Sequence, residues 1–299
     1  MMREGKLTTC ELKSVLKETQ NHSRIVVGSE VGEDASVIDF KENLCVISTD
    51  PITGVSKDIG KFAFHINCND IVASGARPVA LLVTLLAPTN SELSEIKEVM
   101  DQIYVEAVKY GVDIIGGHTE YTKAVNQMVL SCTAIGECRE TDLTLSKGFC
   151  SGDAICVTKH LGIEWTLIKC LEDRERVLSL LTESELQGAL SLIEKLTIIP
   201  EGKILKEFDI SAMHDITEGG VIGALTEMFS GKKECFELNR EAFPILDITK
   251  KLLTLYDVKI EEIISSGSLI FMAKESEFNR IQKVFSAEKI CVTAIGKVL

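Results

Sequence analysis

The segment DIGKFAFHINCNDIVASGARP (58–78) predicts a helix that leads directly into a buried strand. Its apolar residues recur at helical spacing from Ile59 to Val72. Residues 79–86 are short, apolar and without charge, which is typical of a strand buried on both faces. A helix joined to a strand in this way is typical of α/β or α+β architecture.

Helix and strand patterns alternate on both sides of this segment. In the first half we predict a helix over 9–20, strands over 35–39 and 44–48, a helix over 91–110, a strand over 112–115, a tight turn over 116–121 and a strand over 128–135. In the second half we predict a turn, strand and loop over 151–162, helices over 164–180, 183–196, 201–208, 218–229 and 275–285, and strands over 210–215, 268–273 and 290–295.

After Gly148 a turn and a strand begin a new series of predicted elements, which indicates a domain boundary near residue 150. We therefore predict two domains, 1–150 and 151–299, each of ordinary size. Because no flexible linker separates them, we expect the domains to share an interface and a cleft. The interleaving of helices and strands in both halves predicts an α/β or α+β class.

Composition narrows the classes of function. The 299 residues include 45 acidic and 32 basic side chains, and the formal net charge is -13. This charge repels phosphate backbones and disfavours general nucleic-acid binding.

The sequence also shows no sign of membrane association. The most apolar stretch, residues 79–88, is too short to span a bilayer, and the first residues carry no apolar signal region. We therefore expect no membrane association and a cytoplasmic location. None of the ten cysteines forms a C-x-x-C pair, which disfavours a zinc site.

Carboxylates placed on short turns are the main candidates for the residues of a metal or phosphate site. They are Glu33, Asp34, Asp50, Asp70, Glu120 and Asp215. Mg²⁺ takes oxygen ligands, usually one or two protein carboxylates with phosphate oxygens, and glycines let backbone N–H groups approach phosphate. An aspartate at a strand end also serves as a turn former or a helix cap. The residues alone therefore favour a metal–phosphate site between two α/β halves, with structural roles as the alternative.

Two glycine-rich segments and one lysine extend the candidate site. Gly116-Gly117 precedes His118 and Thr119, and Gly219-Gly220 follows His214 and Thr217. Histidines in such segments are candidates for catalysis or phosphate contact, although a hydrogen-bonded structural histidine is the alternative. Lys61 could reach a phosphate, or lie solvated on its helix. No Walker loop and no strand-linked G-x-G-x-x-G is present, so two common nucleotide sites lack their signatures.

Taken in order, the motifs resemble the PurM-like (AIR synthase-related) superfamily, and most closely its hydrogenase-maturation HypE branch. The matching segments are GEDASVID (32–39), STDPI (48–52), DIGKFAFHINCNDIVASGARP (58–78), IIGGHTE (114–120), SGDAICVTKHLG (151–162) and AMHDITEGGVIGALTEM (212–228). The resemblance implies two α/β domains, with the N-terminal sheets of two subunits forming a β-barrel in a homodimer. It also implies an ATP and Mg²⁺ site lined mainly by the N-terminal domain.

The resemblance, together with the residues above, gives a set of expected roles. Expected metal ligands are Asp34, Thr49, Asp50, Asp70, Glu120 and Asp215. Expected nucleotide contacts are Gly116, Gly117, Thr119, Thr217, Gly219 and Gly220. Expected catalytic residues are Lys61, His118 and His214. The implied activity is ATP-dependent activation of a small oxygen-bearing substrate (an amide, carbonyl or phosphate) by phosphoryl transfer.

The sequence also departs from the family pattern. His118 stands where the family usually has an acidic residue, and the chain ends AIGKVL, without the terminal cysteine that accepts the carbamoyl group in HypE. Two alternatives therefore stay open: a thiamine-monophosphate-kinase-like enzyme, and a non-catalytic nucleotide-binding paralogue that acts through protein partners. The expected partners are a second copy of the chain, a small-molecule substrate and a maturation protein.

Overall fold

Two β-sheets, one in each half of the chain, form the framework of the protein. The computed structural model describes residues 25–27, 35–230 and 235–299. The first sheet has the strand order β1-β2-β3-β6-β4-β5, in which only β4 and β5 are parallel neighbours. Its strands are β1 (Ile25–Val27), β2 (Ser36–Asp39), β3 (Leu44–Ile52), β4 (Arg77–Pro88), β5 (Asp113–Thr122) and β6 (Val129–Cys138).

Two helices cover one face of the first sheet: α1 (Ile59–Ala73) and α2 (Leu93–Tyr110). Burial alternates residue by residue along β6, so one face of this strand packs into the core and the other stays partly open. The helix α2 begins with a capping box between Glu92 and Glu95 and ends at Gly111 in the left-handed conformation. These local signals explain why the predicted helix over 91–110 is confirmed.

The second sheet is antiparallel throughout, with the order β8-β10-β7-β11-β9. Its strands are β7 (Asp153–Thr158), β8 (Ile210–Asp215), β9 (Phe236–Leu238), β10 (Leu269–Lys274) and β11 (Val292–Val298). The helices of this half are α3 (Ile163–Glu172), α4 (Arg174–Leu178), α5 (Glu183–Leu190), α6 (Ile199–Leu205), α7 (Gly220–Met228), α8 (Asp247–Tyr256) and α9 (Glu275–Ala287).

The helix α1 lies at the centre of the molecule and joins the two halves. Every residue of α1 except Lys61 is buried, because the helix packs on the first sheet, on α2, and on β8 and α6 of the second half. Asn69 of α1 donates to the carbonyl oxygen of Leu196 at 2.8 Å and accepts from the Ile198 N–H at 2.9 Å. A single hydrophobic core therefore runs across the boundary between the halves.

Several predictions of local structure require correction. Residues 116–121 are not a tight turn: they continue the strand β5, which begins at Asp113. The helix predicted over 164–180 is interrupted at Asp173. The strand β9 and the helix α8 were not predicted, and the predicted helix over 9–20 lies outside the described residues. The proposed boundary near residue 150 falls in the segment that connects β6 to β7.

Candidate functional site

Residues of two motifs, STDPI (48–52) and the segment 58–78, form hydrogen bonds with each other where β3 lies against α1. Ser48 Oγ on β3 donates a 2.6 Å hydrogen bond to Asp70 Oδ2 on α1. Two residues further along β3, the backbone N–H of Asp50 donates to Asn67 Oδ1 at 2.9 Å. The structure thus places Asp50 and Asp70, two of the expected metal ligands, on facing elements; a hydrogen bond orients the Asp70 side chain, and another anchors the backbone of β3 at Asp50. Asp70 is only 4% exposed, so its carboxylate is oriented inside the protein.

A cavity of about 420 Å³ lies beside this junction, between the two halves of the chain. The first half contributes Asp50 to Val55, Phe62 and Ile66, and the second half contributes Glu164, Ile168, Thr217, Glu218, Ile264 and Ser266. This volume lies within the range of small-molecule sites, and its mixed apolar and polar wall is typical of them. The predicted shared cleft therefore contains Asp50 and Thr217 of the expected site.

The wall of this cavity is acidic. Asp50, Glu164 and Glu218 line it, and no lysine, arginine or histidine does so among the described residues. Burial raises the pKa of Glu164 to about 7, and the negative charges of Glu218 and Asp215 act in the same direction, while hydrogen bonding from Ser266 opposes them. Such a wall favours a cation or an uncharged hydrogen-bond donor over a free anion.

A second cavity, of about 540 Å³, opens at the start of α1. Residues 55–59, the loop around Asn90 and residues 126–128 line it. Lys61 lies one turn further along α1, outside both cavities, and forms an ion pair with Asp58 at 3.5 Å. It borders a shallow groove together with Asp58 and with Glu98 and Asp101 of α2. Its expected catalytic role stays a prediction.

Strand alternation separates Thr49 from Asp50. The hydroxyl of Thr49 donates to the carbonyl oxygen of Cys132 and accepts from Thr133 Oγ1 at 3.0 Å, on the open face of the sheet. Asp50 lines the cavity beside α1, so its side chain lies on the opposite face. Within one subunit, the two side chains therefore do not approach the same ion.

The segment Gly116 to Glu120 lies at the edge of the first sheet. Asp50 pairs with Cys132, Cys132 with Val83 and Val83 with Gly117 in a single row across four strands. Three strand spacings amount to about 14 Å, so this segment does not meet Asp50 within one chain. His118 Nε2 lies 3.1 Å from Glu120 Oε2, and both side chains, like Thr119 between them, are exposed.

The residues of the second glycine segment lie around the end of β8. His214 and Asp215 are buried, and His214 Nδ1 lies 2.6 Å from the carbonyl oxygen of Asp215. His214 Nε2 lies 3.3 Å from Glu227 Oε2 on α7, so the ring is fixed from both sides. Gly219 and Gly220 both have positive φ and turn the chain into α7. Of this group, Thr217 borders the cavity.

The described residues supply oxygen donors for Mg²⁺ without a complete set of ligands. Within 25–27, 35–230 and 235–299, no group of three or more histidine, cysteine, aspartate or glutamate side chains is arranged to hold a metal ion. Glu33 and Asp34 lie outside the described residues. Asp50 and Asp70 fit the chemistry of a hard cation that also uses phosphate oxygens, since such a cation needs only one or two protein carboxylates.

Sequence reasoning did not name several polar residues of the cavity wall as site residues, among them Glu164 and Ser266. Glu164 is 3% exposed on α3, and the backbone N–H of Ser266 donates to its Oε2 at 3.2 Å. The available signal was a glutamate within the apolar run LGIEW (161–165), where a charged side chain is uncommon. Ser266 stands in the segment ISSGSLIF (264–271), which resembles a further, weaker block of the family.

The chain belongs to the AIR synthase related protein family. Residues 32–138 match the N-terminal domain of that family, and residues 151–299 match its C-terminal domain. The hydrogen-bonded residues of β3 and α1 described above lie within the first match, and the cavity is lined by residues of both. The expectation of a PurM-like, AIR synthase-related chain is thereby confirmed.

Two curated relatives show which branches of the family are similar. The chain is 25% identical over 263 residues to a putative hydrogenase expression/formation protein of Methanocaldococcus jannaschii, a match that covers 86% of this chain and 76% of that protein. It is 25% identical over 232 residues to a selenide, water dikinase of Rhizobium meliloti, a match that covers 75% of this chain and 63% of the dikinase.

Solved structures with the same fold include hydrogenase maturation and kinase proteins. Escherichia coli HypE has a TM-score of 0.74 at 20% identity, covering 85% of this chain and 79% of HypE. HypE in complex with ATP has a TM-score of 0.69 at 21% identity, covering 89% and 80%. AaThiL complexed with AMPPCP and TMP has a TM-score of 0.74 at 18% identity, covering 91% and 86%. These similarities establish the two-domain PurM-like fold. No helix in the described part of the chain is long and apolar enough to cross a bilayer.

Proposed function

We propose that this protein is an ATP- and Mg²⁺-dependent enzyme that activates a small oxygen-bearing substrate by phosphoryl transfer. The hydrogen-bonded junction of Ser48, Asp50, Asn67 and Asp70 carries the proposal, because it places Asp50 on the wall of a cavity of ligand size and orients the buried Asp70 carboxylate on the facing helix. The family match supports it, as do the nucleotides named in the structures of HypE and AaThiL.

Each residue of the junction has a separate task in this proposal. Asp50 and Asp70 hold Mg²⁺ through carboxylate oxygens, and Ser48 orients Asp70. Asn67 fixes the backbone of β3, which keeps the Asp50 side chain at the cavity wall. When bound, Mg²⁺ neutralises phosphate charge, which is the main catalytic requirement of phosphoryl transfer. Asp34 is proposed as a further ligand on the resemblance alone.

We also propose that the protein acts as a homodimer. The strand β5 is exposed at the sheet edge, and Ile115 and Tyr121 are each about half exposed. A second copy covering this edge would bring the Gly116–Glu120 segment of one subunit towards the site of the other. A maturation-protein partner is proposed by analogy with the HypE–HypF complex, and a cytoplasmic location remains a prediction.

Calorimetric titration with AMPPCP, with and without Mg²⁺, tests the proposed function. Wild-type protein is expected to bind the analogue only when Mg²⁺ is present. Asp50→Asn and Asp70→Asn each remove a ligand charge with little change in volume, so each should weaken Mg²⁺-dependent binding by about tenfold or more. The control is Asp247→Asn, since Asp247 is 93% exposed in the second half. Normal binding by both site variants would show that the site is elsewhere.

A further inference from the structure

A small cavity of about 80 Å³ opens where the end of α1 and the start of β4 meet α6 of the second half. All four residues of the segment GARP (75–78) line this GARP cavity. The apolar part of its wall includes Val72, Ala76 and Ile199, which are all buried. The cavity of the proposed function lies beside the first half of α1, around Phe62, so the two cavities are at different ends of this helix.

The size of the GARP cavity suits a single side chain. Small-molecule sites usually enclose about 300–1,000 Å³, whereas one water molecule occupies about 30 Å³. The wall is also firmly held, because α6 packs so closely against α1 that a Cβ atom at Gly202 would overlap the side chain of Val72. The cavity is therefore a preformed apolar socket for one side chain and is too small for a metabolite.

The rim of the GARP cavity is positively charged. Arg77, Lys203 and Lys206 border it, and no described aspartate or glutamate lines it. Lys203 and Lys206 are three residues apart, so they lie side by side on one face of α6 and its last turn. The cavity that contains Asp50 has the opposite character, as does the whole chain with its formal net charge of -13. The GARP cavity is thus a local site for negative charge on an acidic protein.

Two of the three cations on the rim already have partners. Arg77 forms an ion pair with Glu137 at 2.7 Å, and Lys206 forms one with Asp142 at 3.2 Å. Lys203 is exposed and forms no ion pair with any residue that the structure describes. A carboxylate from outside can therefore pair with Lys203 without breaking an existing ion pair, and the remaining N–H donors of its two neighbours can strengthen the contact.

The backbone around the cavity favours a ligand that accepts hydrogen bonds. The carbonyl oxygen of Ile71 accepts from the Ala76 N–H at 3.2 Å, and that of Val72 accepts from the Gly75 N–H at 2.9 Å. These acceptors at the end of α1 are thus already paired within the chain. The groups offered at the rim are the donors of two ammonium ions and one guanidinium ion. A ligand with a basic or donor-rich surface would be repelled there.

We propose that the GARP cavity docks an acidic segment of a partner protein, which inserts one aliphatic side chain between α1 and α6. Carboxylates on either side of this side chain pair with Lys203 and Lys206. An apolar anchor in a socket, surrounded by polar contacts, is the usual arrangement at the centre of a protein interface, and complementary charge adds specificity. The inference does not depend on the proposed function, because the GARP cavity contains none of the residues assigned to it.

Three blocked pentapeptides serve as probes: Glu-Glu-Leu-Glu-Glu, Glu-Glu-Ser-Glu-Glu and Lys-Lys-Leu-Lys-Lys. Titration of the isotope-labelled full chain, followed by TROSY NMR, gives both the position of binding and the dissociation constant. The acidic leucine peptide is expected to shift the amides of Val72, Ala76 and Gly202. The serine peptide should bind about tenfold more weakly, because it leaves the apolar wall uncovered. The lysine peptide should not shift these amides, because the rim repels it.

A pair of lysine variants tests the charge on the rim. Lys203→Glu should weaken binding of the acidic leucine peptide by about fivefold, since it replaces attraction by repulsion. The control is Lys97→Glu on α2, an exposed lysine beside the start of α1, which should bind the peptide as wild type does. Neither lysine forms an ion pair with the described residues, so both variants should keep the unfolding temperature of wild type.

Four results would overturn the inference. They are the absence of shifts at the GARP cavity with the acidic leucine peptide at millimolar concentration, equal affinity for the leucine and serine peptides, a preference for the lysine peptide, and wild-type affinity in Lys203→Glu. Equal affinity for the two acidic peptides would identify the rim as a general anion site without an apolar anchor. Binding of AMPPCP in calorimetry is independent of all four results, so failure of the proposed function would be seen separately.

Discussion

Burial gives Glu164 a different response to pH from that of a surface glutamate. Its pKa rises to about 7 from the ordinary value of 4.5, chiefly because the charged form is poorly solvated. Between these two values the folded protein keeps the proton and the unfolded chain releases it. Raising the pH through this interval therefore removes stability from the wild-type protein.

The variant Glu164→Gln has no titratable group at this position, so its stability should not decrease in this pH interval. We expect its free energy of unfolding to be close to that of wild type at pH 4.5 and to exceed it at pH 8 by about 1–3 kcal/mol. Urea unfolding at both pH values measures the difference, with Glu175→Gln as the surface control. A difference that is the same at the two pH values would show that the Glu164 carboxyl does not titrate in this interval.

Single residues differed in how well the sequence predicted them. Asp50 and Asp70 were proposed as metal ligands because each stands in a short motif shared with a family; the structure places them on facing elements, and their role as ligands stays a prediction. Glu164 was missed because its importance comes from burial between two halves that lie far apart in the sequence. Burial of one glutamate is a tertiary property, and a helical pattern does not report it.

The strand β5 shows how an element is misread. A turn was predicted over 116–121 because two glycines and several polar residues follow each other there. In the structure, nearly all of β5 is exposed, so no alternation of apolar and polar residues marks it as a strand. Gly117 is required by packing rather than by a turn. Its φ is 142°, and a Cβ atom there would overlap the carbonyl oxygen of Val83 on β4.

We expect Gly117→Ala to destabilise the β4–β5 pairing. The added methyl group must displace the backbone of β4, so the cost should be about 2 kcal/mol or more. Chemical denaturation measures it, and hydrogen exchange of the β5 amides should accelerate relative to wild type. The matched control is Gly188→Ala on α5, where a methyl group meets open space, so alanine should be neutral or stabilising. Equal stability of Gly117→Ala and wild type would contradict the close approach.

Asn69 joins α1 to the second half of the chain through side-chain hydrogen bonds. Its side chain pairs with both a buried carbonyl oxygen and a buried N–H of the 196–198 segment. The variant Asn69→Ala leaves these two backbone groups unpaired, so the free energy of unfolding should fall by about 2–4 kcal/mol. Asn43→Ala, at an exposed position between β2 and β3, is the control, and urea unfolding is the measurement. A loss below that of the control would show that the hydrogen bonds of Asn69 do not contribute measurably to the docking of the halves.

The cavity that contains Asp50 has walls from both halves, so any molecule inside it acts as a reversible crosslink. A ligand that contacts Asp50 on one side and the wall of the second half on the other binds only while the halves are docked. Its binding energy then adds to the docking energy, and a ligand at one hundred times its dissociation constant would add about 2.7 kcal/mol. Proteolysis between β6 and β7 would therefore slow in the presence of a true substrate, and protection of that segment offers a way to screen for the acceptor without knowing the reaction.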